Sequence, residues 1–138
     1  MQGSQQKYRL KDWQETVLFE RPDGVKVTRV DAEFAYEGDL TGDTRLSYLM
    51  QYDPGQTGRY SGWEAFQGTY LGAPAEILLR HEGRFDPEGV DAHVVGLDGT
   101  GTGSLDRRKV GFDTRFTGEG PYELTLQVEQ VRDGSEGR

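Results

Sequence analysis

Glycine and proline interrupt this chain roughly every 10 to 20 residues. The segments between them are too short, and alternate too regularly, for amphipathic helices. Residues 45–52 illustrate the pattern, because Leu46, Tyr48, Met50 and Tyr52 share one face while polar residues dominate the other. A period of two is the signature of a β-strand. The pattern therefore predicts an all-β protein without a helix.

Eight alternating segments are separated by turn sequences. They lie at residues 8–19, 25–36, 45–52, 60–70, 75–85, 90–97, 112–116 and 122–128. Short turns produce an antiparallel meander, and closing it into a barrel removes the exposed edges. We predict a single eight-stranded antiparallel up-and-down barrel over residues 8–130, with a short N-terminal segment at 1–7 and a flexible tail at 131–138. Such a barrel has room for side chains or one small ligand.

Composition excludes several classes of protein. The net charge of −8 and the pI near 4.7 disfavour a nucleic-acid partner, because phosphates are repelled. No apolar run is long enough to span a membrane, and the N-terminus lacks the apolar stretch of a secretory signal. The absence of cysteine excludes disulfides and thiol catalysis. We therefore expect a cytoplasmic protein with no nucleic-acid or membrane partner.

Hairpin geometry predicts a row of polar side chains inside the barrel. A two-residue turn at residues 72 and 73 places Glu64 opposite His81, and the loop at 53–58 places Tyr48 opposite Glu64. Apolar residues are predicted on the same interior face: Met50, Phe66, Ile77 and Leu79.

The next hairpin is predicted to extend this row. A turn at 86–89 with a glycine bulge places His81 opposite Val95, with His93 as a diagonal neighbour on the interior face. A slip of one residue in any of these hairpins would break the row.

Two interpretations of the Glu64–His81 pair remain open. In the functional one, the pair is a general acid and base near neutral pH. In the structural one, it is a satisfied polar pair that sets strand register in a thin core. A metal site of Glu64, His81 and His93 is geometrically possible. Because these ligands come from separate strands without a recognised metal spacing, we expect no metal and no other cofactor.

The first strand gives conflicting indications. Pairing across the turn at 21–24 places Trp13, Glu15 and Phe19 on one face, with Glu15 in reach of Arg29. The apolar positions of the second strand, however, require the opposite orientation for Trp13 and Phe19. A β-bulge in the first strand would reconcile the two, although the sequence does not locate it.

Two further features carry weaker signals. The glycine-rich run at 99–103 lacks the spacing and the following helix of a phosphate loop, so a tight strand connection is predicted. The basic cluster at 107–109 is a solvated loop or a site for an anionic group.

Leu49, Trp63 and Leu78 fall on the outer face, and an exposed tryptophan among them favours a homodimer or higher homo-oligomer.

Short motifs spread over residues 10–130 resemble one family when taken in order. The sequence is similar to the domain-of-unknown-function family 3224, which belongs with the allene-oxide-cyclase-like barrels. The motifs that carry the resemblance are Trp13-Gln14-Glu15, Tyr36-Glu37-Gly38-Asp39-Leu40-Thr41-Gly42, Tyr48-Leu49-Met50-Gln51-Tyr52, Gly62-Trp63-Glu64, Gly68-Thr69, Leu79-Arg80-His81-Glu82-Gly83 and Gly99-Thr100-Gly101-Thr102-Gly103-Ser104-Leu105.

The resemblance implies an eight-stranded barrel that often self-associates, and it implies that Glu15, Glu64 and His81 occupy recurrent positions. It does not imply a reaction. The better-known cyclase relatives hold a reactive substrate in an apolar barrel with few polar groups and no cofactor. After Leu105 this sequence departs from the family pattern, since residues 106–110 stand in place of a glycine-containing segment.

Three hypotheses of function follow. The first is a cofactor-independent isomerase or cyclase for a small hydrophobic molecule, with Glu64 and His81 as acid and base and with Tyr48 and Glu15 assisting. The second is a non-catalytic barrel that binds a small ligand, and the third is a structural dimer with a filled core. The residues expected to contact a ligand are Trp13, Met50, Phe66, Leu79, His93 and Val95.

Overall fold

A computed structural model describes residues 3–117 and 122–130, which form nine β-strands and no helix. Accordingly, no helix in this described part could cross a membrane. The strands are β1 (Gly3–Glu20), β2 (Lys26–Glu37), β3 (Leu40–Tyr52), β4 (Gly58–Tyr70), β5 (Ala73–Asp86), β6 (Gly89–Gly96), β7 (Thr102–Gly103), β8 (Arg108–Thr117) and β9 (Tyr122–Gln130).

Eight of these strands form a closed barrel. Each pairs antiparallel with its neighbour in chain order, β9 pairs with β1, and the two-residue β7 adds to β5 from outside the ring. The predicted all-β, eight-stranded antiparallel barrel is confirmed. The expected C-terminal tail at 131–138 lies outside the described residues.

The barrel interior is packed mainly with aromatic and aliphatic side chains. Tyr8 stacks on Phe34, with ring centroids 4.2 Å apart, and Tyr36 meets Phe66 edge to face at 5.4 Å. Some of the interior rings fit because glycine occupies the facing position on a neighbouring strand, as Gly42 does opposite Tyr36 and Gly62 opposite Tyr48. At Gly62, for example, an added Cβ would lie 2.0 Å from a carbonyl oxygen of β3. The core is therefore filled largely by aromatic rings, some of them set against glycines.

Strand β1 contains the bulge that the sequence required, and a second one. The pairing with β2 shifts between Leu10 and Asp12 and again between Val17 and Phe19. After the first shift, Trp13, Glu15 and Val17 of β1 pair with residues of β2 that point into the barrel, so they share that inner face. The second shift turns Phe19 to the outer face. The prediction that Phe19 shares a face with Trp13 is therefore wrong. The strand begins at Gly3, and residues 3–8 pair with β9.

Two predicted hairpin registers are wrong by two residues. The turn between β4 and β5 is Leu71-Gly72, where both residues have positive φ (52° and 83°) as in a type I′ turn. Glu64 therefore faces Leu79 rather than His81. The loop before β4 closes at Gly58 instead of Tyr60, which pairs Glu64 with Leu46 rather than with Tyr48. An even shift preserves which face each side chain occupies.

The β5–β6 hairpin is wrong by a single residue, and this changes the face. Asp86 pairs with Gly89, and its carboxylate accepts hydrogen bonds from the backbone N–H groups of Glu88 and Gly89. This side-chain bonding supports a two-residue turn, so no glycine bulge forms. His93 and Val95 consequently lie on the outer wall and are exposed, contrary to the prediction that they face the interior.

Candidate functional site

The structure brings Glu64 and His81 into direct contact inside the barrel. Glu64 lies on β4 and His81 on β5, and the two are diagonal neighbours because Gly62 is the residue opposite His81. The imidazole Nε2 is hydrogen-bonded to Glu64 Oε1. Both residues are completely buried. A carboxylate–imidazole pair thus lies in the core, shielded from solvent.

The second oxygen of the Glu64 carboxylate is satisfied by hydroxyl groups. Glu64 Oε2 accepts a hydrogen bond from Thr44 Oγ1 at 2.8 Å and a longer one from the Tyr8 hydroxyl at 3.4 Å. A buried carboxylate is costly unless donors surround it. Side chains from β1, β3 and β5 supply these donors, which explains how the barrel holds Glu64.

The other side of the His81 ring faces two phenols. Its Nδ1 lies 3.3 Å from the Tyr48 hydroxyl and 3.4 Å from the Tyr60 hydroxyl. The two phenol rings pack edge to face, with centroids 4.9 Å apart. A continuous polar chain therefore runs from the Tyr48 and Tyr60 hydroxyls through His81 to Glu64.

The tyrosines around the pair are held in their protonated form. Burial, and then the nearby Glu64 carboxylate, raise the pKa of Tyr8 well above 10, and the same two causes raise that of Tyr60. Burial also raises the pKa of Tyr48. At neutral pH these three phenols therefore keep their protons and can donate hydrogen bonds.

One buried hydroxyl in the cluster is unsatisfied. The Tyr36 hydroxyl makes no hydrogen bond within the described residues. Burial and the neighbouring Glu64 carboxylate raise the pKa of Tyr36 well above its usual range, so its proton is retained. Glu64 and Tyr8 both influence its pKa, so this hydroxyl borders the Glu64 side of the site.

Glu15, the fourth polar residue predicted for the site, belongs to a separate cluster. Its Oε2 accepts hydrogen bonds from Tyr52 at 2.6 Å and Thr28 at 2.7 Å, and Trp13 Nε1 lies 3.4 Å from its Oε1. Partial burial acts to raise the pKa of Glu15, but these hydrogen bonds outweigh it and the net pKa is lowered. The expected Glu15–Arg29 contact is wrong, since Arg29 pairs with Asp31.

The six residues expected to contact a ligand do not lie together, and Trp13 is exposed on β1. Met50, Phe66 and Leu79 are buried in the core. His93 and Val95 lie on the opposite side of the wall, where His93 bonds Asp113. The possible metal arrangement with His93 is therefore not formed, and in residues 3–117 and 122–130 no three acidic or histidine side chains converge closely enough to hold a metal ion.

Sequence reasoning missed four hydroxyl groups of the site: those of Tyr8, Thr44, Tyr60 and Tyr36. Thr44 lies on β3 and Tyr60 on β4, and both occupy the buried positions of strands in which buried and exposed residues alternate. The alternation of a β-strand could therefore have assigned both side chains to the barrel interior. Tyr8 reaches Glu64 only because β1 closes the barrel against β9, and no local pattern encodes that contact.

Surface grooves lie apart from the buried pair. The two largest described occupy the outer wall over β3, β4 and β5, with volumes of about 520 and 380 Å³. Neither Glu64 nor His81 lines them.

Comparison with known proteins identifies a family but not an activity. The family model described as "Protein of unknown function (DUF3224)" matches residues 4–127. No curated protein matches the sequence. The matched region contains the barrel strands from β1 to most of β9, together with Glu64, His81 and all the hydroxyl groups around them. Because the match covers nearly the whole chain, this protein belongs to the DUF3224 family.

Proposed function

We propose that the protein is a cofactor-independent isomerase or cyclase that binds a small hydrophobic molecule inside its barrel. The observation that carries the proposal is the buried Glu64–His81 contact. Hydroxyl groups lie within hydrogen-bond distance of the remaining carboxylate oxygen of Glu64 and of the remaining ring nitrogen of His81. A purely apolar core of the same shape would avoid the cost of burying these groups.

The proposed chemistry needs only a proton donor and a proton acceptor. Glu64, with His81 as its partner, removes a proton from a carbon of the bound molecule and returns it to another position, so that no atom is gained or lost. Phenols kept protonated by burial, such as Tyr48 and Tyr60, donate hydrogen bonds to an oxygen on which charge develops. Apolar neighbours such as Met50 and Leu79 exclude water from the reaction.

Access to the pair is proposed from the end of the barrel where β1 extends beyond β9. Side chains of Trp13 and Val17 share the face that points into the barrel, yet both are exposed. Between this end and the pair lie Met50, Tyr48 and Tyr60, which retain 6–8% exposure, whereas Glu64 and His81 have none. The binding step would displace these three side chains.

A non-catalytic ligand-binding barrel is the second candidate. The complete burial of Glu64 and His81 favours it. Because the pair is buried, a ligand bound at the barrel end would contact the Glu15 cluster and not the pair. In that case the Glu64–His81 contact would hold the strands together beneath the ligand.

The test uses an apolar metabolite extract of the host cell and follows it by chromatography and mass spectrometry. An isomerase without a cofactor converts one compound into another of identical mass. We expect the wild-type protein to deplete one peak and produce a new peak of the same mass. Glu64→Gln should abolish the conversion, because an amide cannot accept the proton.

The matched control is Glu76→Gln, which makes the same chemical change on the outer face of β5. It should convert the compound as the wild type does. Retention of a compound without a new peak would favour the non-catalytic barrel. An extract left unchanged, with nothing retained, would contradict both candidates.

A further inference from the structure

Two arginines face each other on the outer wall of the barrel. Arg59 on β4 pairs directly with Arg84 on β5, and both side chains are exposed between buried neighbours. In a directly opposed pair the Cβ atoms are about 5 Å apart, and like charges at this separation destabilise the sheet. The arrangement therefore opposes folding unless an anion lies between the two guanidinium groups.

No carboxylate of the described chain neutralises this pair. Neither Arg59 nor Arg84 has an ion pair or a side-chain hydrogen bond within residues 3–117 and 122–130. Asp91 lies opposite Arg84 on β6, but it is bound by Arg115 at 3.0 Å. On the other side, Arg59 lies opposite the uncharged Gln51 of β3. The two guanidinium groups therefore keep hydrogen-bond donors for a ligand.

Both arginines line the groove of about 520 Å³ on the outer wall. This volume lies within the range of small-molecule sites. The carboxylate in the lining belongs to Glu82, which has Arg80 as its partner at 3.9 Å. Val27 and Leu49 form an apolar side of the groove, and Ser61, opposite Leu49, adds a hydroxyl group. The groove thus combines an apolar side with two unpaired positive charges.

We propose that this groove binds a small organic phosphate, with the phosphate group between Arg59 and Arg84 and the apolar body against Val27 and Leu49. A phosphate monoester carries about two negative charges at neutral pH, which matches two guanidinium groups, and guanidinium binds phosphate oxygens in pairs. A phosphate polymer would extend beyond the arginines onto a protein of net charge −8, which repels it. The site lies outside the barrel and is independent of the proposed isomerase.

The experiment titrates phenyl phosphate into the full chain by isothermal calorimetry, at neutral pH in a phosphate-free buffer. The wild type should bind it saturably at one site per chain. Arg59→Gln and Arg84→Gln should each raise the dissociation constant about tenfold, because each removes one set of charge-assisted hydrogen bonds. The matched control, Arg45→Gln, removes the same charge from the exposed outer face of β3 and should leave the dissociation constant unaltered.

Three further ligands complete the test. Phenol should not bind, because it lacks the charge. Inorganic phosphate should bind more weakly than phenyl phosphate, because it makes no contact with Val27 and Leu49; equal affinity would overturn the organic ester in favour of the free ion. A short aspartate peptide that binds more tightly than phenyl phosphate would overturn the proposal in favour of an acidic protein partner. An absence of saturable binding, or an equal loss in all three arginine variants, would also overturn it.

Discussion

Replacing Glu64 by glutamine should destabilise the fold. The carboxylate is fully buried and is hydrogen-bonded by His81, Thr44 and Tyr8. Glutamine keeps the shape, but it replaces one acceptor oxygen with an NH₂ group that faces donors. At least one buried group then loses its partner, at a cost of about 1–3 kcal/mol. Glu64→Ala removes every acceptor and should cost about 3–5 kcal/mol.

These changes are measurable by urea denaturation, which gives the free energy of unfolding, and by thermal denaturation, which gives Tm, each followed by far-ultraviolet circular dichroism. For a chain of this size, 1 kcal/mol shifts Tm by roughly 3 °C, so Glu64→Gln should lower Tm by about 3–9 °C. The exposed control Glu76→Gln should stay within about 0.5 kcal/mol of the wild type. If Glu64→Gln were as stable as this control, the hydrogen bonds to the buried carboxylate would not contribute to folding, and the prediction would be refuted.

Four other predictions follow from single contacts. Tyr36→Phe should leave the free energy of unfolding unchanged or raise it by about 1 kcal/mol, because it removes a buried hydroxyl without a partner; a loss above that size would reveal a missed hydrogen bond. Gly62→Ala should cost about 1–3 kcal/mol, since its Cβ would lie 2.0 Å from a β3 carbonyl oxygen; unchanged urea unfolding would contradict this. The lowered pKa of Glu15 stabilises the fold above its unfolded value near 4.5, so Glu15→Gln should lower Tm at pH 7, and the difference should vanish as the pH falls through the native pKa. His93→Ala, on the exposed outer wall, should change stability by less than about 0.5 kcal/mol, and a larger loss measured by denaturation would place His93 in the core.

Alternation along the strands was enough to assign Glu64 and His81 to one face. The predicted hairpins were wrong by two residues on both sides of β4, yet the two side chains still meet, because an even shift changes the partner and preserves the face. In the β5–β6 hairpin the error was odd, and His93 moved from the predicted interior to the outer wall. Turn length, rather than strand pattern, decided these outcomes, and Asp86 bonding to the turn backbone was not visible in the pattern.

The sequence alone determined the fold class and the inward-facing set on β3, β4 and β5, because period two and glycine-rich turns are local properties. Only the tertiary structure decided what surrounds Glu64. Tyr8 reaches the carboxylate from β1 across 56 positions of sequence, through a closure of β1 on β9 that depends on the whole barrel. The first bulge of β1 was likewise settled by tertiary packing, since it lets Tyr8 and Trp13 both face inward against a regular β2.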